Sequence, residues 1–490
     1  MQFSNFVKRI RDIMRRDAGI NGDAQRIEQL SWMIFLKIYD AAESNWELEN
    51  DDFQSLLEPL HLRWCDWADF KQDNVAIGDE LLDFVNNTLL PSLKNLTIPT
   101  GTPKGQALIK TVFTDVHNYM KDSVALREIL AEVDKIDFTD PKESHAFGEI
   151  YETILRELQN AGSAGEFYTP RALTDFMAEH VQLKLGDQVA DLACGTGGFL
   201  NSARRVLDSP DYNATEYELF SRSFHGIEKK PLPYLLCLTN LLLNGIDNPD
   251  ILYSNSLTIK NYLDYTDKDC FDVILMNPPY GGVEKDDVQE KFLQGERSSE
   301  TADLFMLLIE KRLSKQGGRA AVVLPDGFLF GEGNKTMIKK KIMDNANLHT
   351  VVRLPTSVFA PYTSIATNIL FFDRSKPQTT ETWFYRVDMP QGYKNFSKTK
   401  PLKREHLKDL EQWWDHREEI ADENGQYKAK CYTRAEIEAR NYNLALCGYP
   451  KEQQEDLLPP AELIADYQSK RAKYAEQIDN TLKQIMSLIG

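Results

Sequence analysis

Strand-length apolar runs alternate with helical stretches from about residue 187 to Asp373, and this alternation limits the possible folds more than any other feature of the chain. The runs are QVADLA ending near Ala193, FHGIE ending at Glu228, ILYSN ending near Asn255, FDVILM ending at Met276, RAAVVLP ending at Pro325, and then HTVVRLP and TNILFFD. Between them lie helical patterns such as LTDFMAEHV, LPYLLCLTNLLLNG and ADLFMLLIEKRLSKQGG, the last two closing on glycine as a helix end should. The pattern predicts an α/β architecture with a doubly wound, mainly parallel sheet covered on both faces. Sheets of this kind bind ligands at the carboxyl ends of their strands.

Three motifs fall at predicted strand ends. In VILMNPPYGG, Val273 to Gly282, four apolar residues suit a buried strand, whereas Pro278 and Pro279 lack backbone donors and cannot continue a ladder. The chain must leave the sheet at Asn277, which puts Asn277 and Tyr280 where ligand chemistry is done; a plain strand followed by a proline turn is the alternative. In DLACGTGGFL, Asp191 to Leu200, glycines at 195, 197 and 198 let backbone amides approach a ligand at the start of a helix. The second strand ends in Glu228, and an acidic residue there is the usual partner of ribose hydroxyls. Alone, Glu228 reads more readily as a solvated strand-end carboxylate. No second glycine fingerprint and no arginine for a 2'-phosphate follow, so a nicotinamide dinucleotide is the poorer reading.

The flanks differ in texture. From Met1 to about Asp140 the pattern is helical, with Phe6, Ile10, Ile13 and Met14 on one face and a denser run, IEQLSWMIFLKIYDAAE, that reads as a buried helix. Beyond Asp373 the chain turns polar and irregular through KTKPLKREHLK. It closes with an amphipathic helical pattern carrying Leu463, Tyr467, Tyr474, Ile478, Leu482, Ile485 and Ile489. The expected division is a helical region over 1–150, a sheet domain over 151–375, and a polar connection with a partner-binding helix over 376–490.

Composition excludes several classes. With 490 residues, 42% of them hydrophobic and 27% charged, the chain can bury sizeable cores. Its longest apolar stretch, Tyr234 to Leu243, is too short and interrupted to span a bilayer, and no secretory signal is visible. Cys65, Cys194, Cys237, Cys270, Cys431 and Cys447 are scattered without a C-x-x-C pair, which predicts reduced thiols in a cytoplasm and no metal site. The net charge of -18 excludes a free-standing polyanion binder, so if DNA is the substrate something else must help hold it.

In their order, GEFYTPR, DLACGTGGFL, GIEKKP and NPPY resemble the motifs of amino-group methyltransferases of the S-adenosylmethionine-dependent superfamily. With its helical amino-terminal region and carboxyl-terminal helix, the chain is most similar to the modification subunits of type I restriction-modification systems, which are adenine-N6 DNA methyltransferases. The resemblance covers nearly the whole chain and implies a Rossmann-like methyltransferase sheet. It also implies S-adenosyl-L-methionine as cofactor, with Glu166, Phe167, Tyr168, Thr169, Pro170 and Arg171 lining its methionine end. Asp191, Gly195, Thr196, Gly197 and Gly198 would lie beneath it and Glu228 would grip its ribose. The partners implied are double-stranded DNA, a separate specificity subunit, a second copy of the chain, and a restriction subunit with translocase and nuclease activity.

Chemistry supports the placement of NPPY. An exocyclic adenine amine is a poor nucleophile because its lone pair is delocalised into the ring. The Asn277 side-chain oxygen and the Pro278 carbonyl can accept its two hydrogens and favour a pyramidal nitrogen, with Pro279 stiffening the turn and Tyr280 offering a stacking face. Such a pocket reaches adenine only if the base is rotated out of the duplex. Phe359 and Tyr362, in VVRLPTSVFAPYTSIATNILFF, are candidates for a second ring, although either can equally be a core or loop anchor. Asp303 and Asp326 can simply cap helices. One departure stands out: where relatives commonly carry an acidic residue beside the cofactor adenine, this chain has Asn255, from which altered affinity is expected. Two rival readings remain, a protein glutamine N5-methyltransferase and a non-catalytic scaffold of the same fold.

Overall fold

Ten strands form one sheet in the computed structural model, which describes residues 6–70, 76–158, 168–246, 248–423, 425–449 and 460–489. They are β1 (Val189–Asp191), β2 (Phe224–Glu228), β3 (Asp250–Tyr253), β4 (Val273–Met276), β5 (Arg319–Pro325), β6 (Asn347–Arg353), β7 (Thr367–Asp373), β8 (Glu381–Arg386), β9 (Ile420–Ala421) and β10 (Tyr427–Thr433). Their order is β3-β2-β1-β4-β5-β7-β6-β8-β10-β9. The strands β1 to β5 run parallel, and β7 is inserted antiparallel between β5 and β6. This makes β6 parallel to β5, and β8 pairs parallel with β6, so β4, β5, β6 and β8 all point the same way.

Period-2 alternation explains why the central strands read as continuous apolar runs. Val273 and Leu275 of β4 enter one core while Ile274 and Met276 enter the other. Ile369 and Phe371 of β7 likewise face one side, and Leu370 and Phe372 the other. The first of these cores runs without a break into the amino-terminal helices, where Trp32, Met33, Ile34 and Phe35 are fully buried. Helix Pro231–Leu243 makes the connection: it is apolar all round and packs against both Gly22–Glu49 and Pro141–Leu158. The expected face of helix Phe6–Met14, formed by Phe6, Ile10, Ile13 and Met14, is its buried face.

The carboxyl-terminal half departs from expectation. In place of a polar connection after Asp373, the sheet gains β8, β10 and β9, and the main compact unit runs to Cys447. Similarly, the expected boundary at 150 falls inside helix Pro141–Leu158. Residues Gly448–Gly490 form a second unit, described at Gly448, Tyr449 and the 30-residue helix Pro460–Ile489. On it Ile464, Tyr467, Tyr474, Ile478 and Leu482 are between 51% and 66% exposed. Among the described residues no helix is long and apolar enough to cross a membrane.

Candidate active site

A cavity of about 490 Å³ opens at the carboxyl ends of β1, β2, β3 and β4. That volume is ordinary for a small-molecule site. Leu192 to Thr196 and Gly198 line it after β1, Glu228 to Lys230 at the end of β2, Ser254 to Ser256 after β3, and Asn277 to Glu284 after β4. All three strand-end motifs therefore converge on one space.

The turn after β1 is held from several sides. Gly195 and Gly197 have φ of 53° and 76°, left-handed values that favour glycine. Glu228 spans from β2 to this turn: Oε2 accepts the Gly195 N–H at 3.0 Å and Oε1 the Lys230 N–H at 2.8 Å. Asn240, on helix Pro231–Leu243, donates from Nδ2 to the Thr196 carbonyl at 3.0 Å. A Cβ at Gly197 would lie 2.9 Å from Cys237 Sγ, and one at Gly198 only 2.0 Å from Arg171 Nη1.

Arg171 has a different position from the one expected. It does not line the cavity; its Nε and Nη2 grip Glu152 of helix Pro141–Leu158 at 2.6 and 2.7 Å, while Nη1 is buried without a hydrogen-bond partner among the described residues. Tyr168, which does line the cavity, donates its hydroxyl to the same Glu152 at 3.0 Å. Thr169 lines it too, whereas Pro170 and Gly197 stand behind the wall. Glu166 and Phe167 lie outside the described residues.

Two carboxyls at the cavity titrate abnormally. Burial pushes Asp191 up to about 8, the Ala193 N–H opposing this and the nearby Glu228 charge adding to it. Burial also raises Glu228, against the stabilising N–H groups of Lys230 and Gly195. Asn255 accepts the Leu257 N–H at 3.1 Å through Oδ1, which leaves the Nδ2 donor as what it can offer a ligand.

At the end of β4, Asn277 donates from Nδ2 to Thr169 Oγ1 at 3.3 Å, and its Oδ1 is buried with no partner among the described residues. Pro278 is buried and Pro279 exposed. Tyr280, Phe359 and Tyr362 line the same cavity, Phe359 being 3% and Tyr362 37% exposed. Burial and the neighbouring Tyr362 hold the Tyr280 hydroxyl above its usual range.

Sequence reasoning missed three contributors. Thr301 and Phe305 reach the cavity from helix Thr301–Arg312, and Thr301 Oγ1 donates to Glu284 Oε1 at 2.9 Å. Glu152 is the third. Asp303 and Asp326 do not cap: Asp303 accepts from Ser298 at 2.8 Å, and Asp326 is held bidentately by Arg353 at 3.1 and 3.0 Å. Among the described residues no cluster of three or more histidine, cysteine, aspartate or glutamate side chains could hold a metal ion.

A mainly parallel sheet in which β7 and β10 are reversed, a glycine turn after β1, an acid closing β2 and an amide-proline-proline-tyrosine turn after β4 define a methyltransferase of amino groups. Comparison with known proteins narrows the class. Residues 142–456 match the N-6 DNA methylase family and residues 3–133 the HsdM N-terminal domain. The chain is 46% identical to the methylase subunit of the type I restriction enzyme EcoEI from Escherichia coli, covering 99% of this chain and 98% of that one. It is 27% identical to the EcoKI methylase subunit of E. coli K12, over 81% and 73% of the two chains. A solved modification subunit from Vibrio vulnificus YJ016, assigned to a type I restriction enzyme, is 40% identical with a TM-score of 0.77, covering 89% of this chain and 93% of that one. A chain solved in a study of type I restriction-modification assembly is 31% identical with a TM-score of 0.80, covering 99% and 98%. The chain belongs to the adenine-N6 DNA methyltransferases, as a methylase subunit of the type I restriction-modification kind. With that, the protein glutamine and scaffold readings fall away.

Proposed function

We propose that the chain transfers the methyl group of S-adenosylmethionine to N6 of an adenine rotated out of duplex DNA. The observation that carries this is Asn277 Oδ1, a buried acceptor in the cavity wall with no donor of its own. A buried acceptor left unpaired costs about 1 to 3 kcal/mol, so a ligand hydrogen is its natural partner. Together with the Pro278 carbonyl it takes the two hydrogens of the amine, turning the nitrogen lone pair outward for in-line attack. Tyr280 stacks on the base, with Phe359 and Tyr362 closing the pocket around it.

The rest of the cavity suits the cofactor. Glu228 keeps acceptor capacity for ribose hydroxyls beyond its two backbone bonds. The Asn255 Nδ2 donor is suited to the adenine ring, and Tyr168, Thr169, Asp191, Thr196 and Gly198 surround the methionine end. Arg171 acts behind this wall, as a positioning residue that packs on Gly198. The bound cofactor would supply an already activated methyl on a sulfonium, so the side chains need only position and desolvate.

The working assembly on this reading is cytoplasmic: two copies of the chain, one specificity subunit that chooses the site, and a restriction subunit that joins for cleavage. The exposed stripe of helix Pro460–Ile489 supports a helix-to-helix contact with the specificity subunit. The decisive experiment is Asn277→Ala in the reconstituted complex with cognate DNA. Cofactor affinity by calorimetry should stay at the wild-type value while methyl transfer is lost. Methylation at a normal rate would overturn the assignment.

A further inference from the structure

Uncompensated positive charge is gathered on one loop of this acidic chain. Between Asp388 and Glu405 there is no acidic residue, and the segment holds Lys394, Lys398, Lys400, Lys403 and Arg404. Arg404 is taken up by Glu179 and Glu411, and Lys403 lies 3.4 Å from Glu405. Lys394, Lys398 and Lys400 are exposed and, among the described residues, form no ion pair.

The loop has a fixed shape. Ser397 and Lys400 exchange backbone hydrogen bonds at 3.0 and 3.1 Å, making a two-residue hairpin with Lys398 and Thr399 at its tip. Its base is an aromatic cluster in which the rings of Tyr393, Phe396 and His406 lie 5.3 to 5.8 Å apart. The Lys400 ammonium sits 5.2 Å over the Tyr393 ring. The lysines are therefore presented by ordered backbone.

Topology brings this hairpin to the rim of the site. Because β8 runs parallel with β4, β5 and β6, the chain leaving Arg386 emerges at the carboxyl edge of the sheet, on the side of the cavity. The Phe396 N–H then donates to Ser357 Oγ at 2.9 Å. Ser357 closes the loop that carries Phe359 and Tyr362, its N–H donating to the Ser364 carbonyl at 3.4 Å and its carbonyl accepting from Ala360 at 2.9 Å. The basic hairpin is thus fastened to the wall against which the target base would rest.

We infer that this hairpin is the chain's own grip on the DNA backbone, with Lys394, Lys398 and Lys400 neutralising phosphates beside the flipped adenine. The inference rests on the reading above that the substrate is an adenine in duplex DNA. Rotating a base outward leaves its flanking phosphates at the pocket mouth, where positive charge on the same rim keeps the strand in place as the base enters. Aromatic residues at the hairpin base stiffen that grip without adding sequence readout, which fits a subunit that leaves site choice to a partner.

The test is the assembled complex carrying Lys394→Gln, Lys398→Gln and Lys400→Gln together, with the triple Arg replacement as control. Each lost phosphate contact lowers the slope of log affinity against log salt by about 0.9, so the triple Gln variant should be flatter by roughly 2.7, or about 40-fold over a fourfold rise in salt. KM for DNA should rise, cofactor affinity should stay at the wild-type value, and the Arg control should keep the wild-type slope. An unchanged slope with normal methylation would overturn the inference. So would failure of the Gln variant to assemble by size-exclusion chromatography, which would make the hairpin a protein contact. Failure of the wild-type complex to methylate adenine would instead sink the underlying reading, and this inference with it.

Discussion

A single methyl group placed at Gly198 should test how the site is held. The Cβ of Gly198→Ala would sit 2.0 Å from Arg171 Nη1 and 3.3 Å from Cζ, far inside contact distance. Arg171 cannot swing freely, because two bonds at 2.6 and 2.7 Å fasten it to Glu152, and the side chains are only 15% and 22% exposed. Either the glycine turn moves away from the cavity or the ion pair breaks. Breaking a buried pair by displacing one partner costs about 3 to 5 kcal/mol, a large share of a typical domain's 5 to 15 kcal/mol. Moving the turn reshapes the cavity that it lines. Urea unfolding together with calorimetric titration of S-adenosylmethionine distinguishes the two routes, and a loss of about 3 kcal/mol in one or the other is expected. Adding Gly198→Ala to an Arg171→Ala, Glu152→Ala background, where the obstruction is gone, should cost less than about 1 kcal/mol. Wild-type stability and cofactor affinity in the single variant would refute the packing argument.

Other perturbations follow from the same geometry. Gly197→Asp should abolish cofactor binding, since a Cβ there meets Cys237 Sγ at 2.9 Å on backbone with φ of 76°; unchanged calorimetric affinity would count against the site. Asp191, raised by burial to about 8, favours folding while protonated, so its contribution falls as pH climbs from about 4 towards 8. The melting temperature of wild type relative to Asp191→Asn should therefore drop across that window, and a flat difference would show the carboxyl to be ordinary. Removing helix Pro460–Ile489 should abolish co-purification with the specificity subunit and spare cofactor affinity; intact assembly would move the contact elsewhere.

Much of the sheet was legible because its central strands are covered on both faces. VILM and the ILFF within TNILFFD are unbroken apolar runs of strand length, and the structure gives β4 and β7 those residues. The strands β8, β9 and β10 were hidden for the opposite reason. In β10 the partly exposed Lys428 and Lys430 flank the buried Ala429 and lie over rings, Lys428 Nζ 5.4 Å from the Tyr385 centroid and Lys430 Nζ 4.2 Å from that of Tyr427. A lysine lying over an aromatic ring behaves as an apolar surface with a wet tip, so YKAKCYT reads as polar loop although it builds a strand. The Glu152–Arg171 pair was hidden by distance along the chain. Nothing local to GEFYTPR shows that its arginine turns away from the ligand toward a glutamate 19 residues earlier.

That pair also changes how the amino-terminal helices relate to the chemistry. The glycine turn after β1 is fixed by Glu228 from β2, by Asn240 from helix Pro231–Leu243, and by Arg171 under the control of Glu152 from helix Pro141–Leu158. The last two helices pack against each other, and Gly22–Glu49 packs on Pro231–Leu243, so the amino-terminal core forms the far support of the turn. Two buried polar atoms at the cavity wall beside this turn, Asn277 Oδ1 and Thr196 Oγ1, have no hydrogen-bond partner among the described residues. Each would cost about 1 to 3 kcal/mol if nothing ever satisfied it. A turn held by one ion-paired arginine, a carboxylate that takes two backbone N–H groups and an amide donor, with unpartnered polar atoms at the cavity wall beside it, is organised around a ligand that completes it.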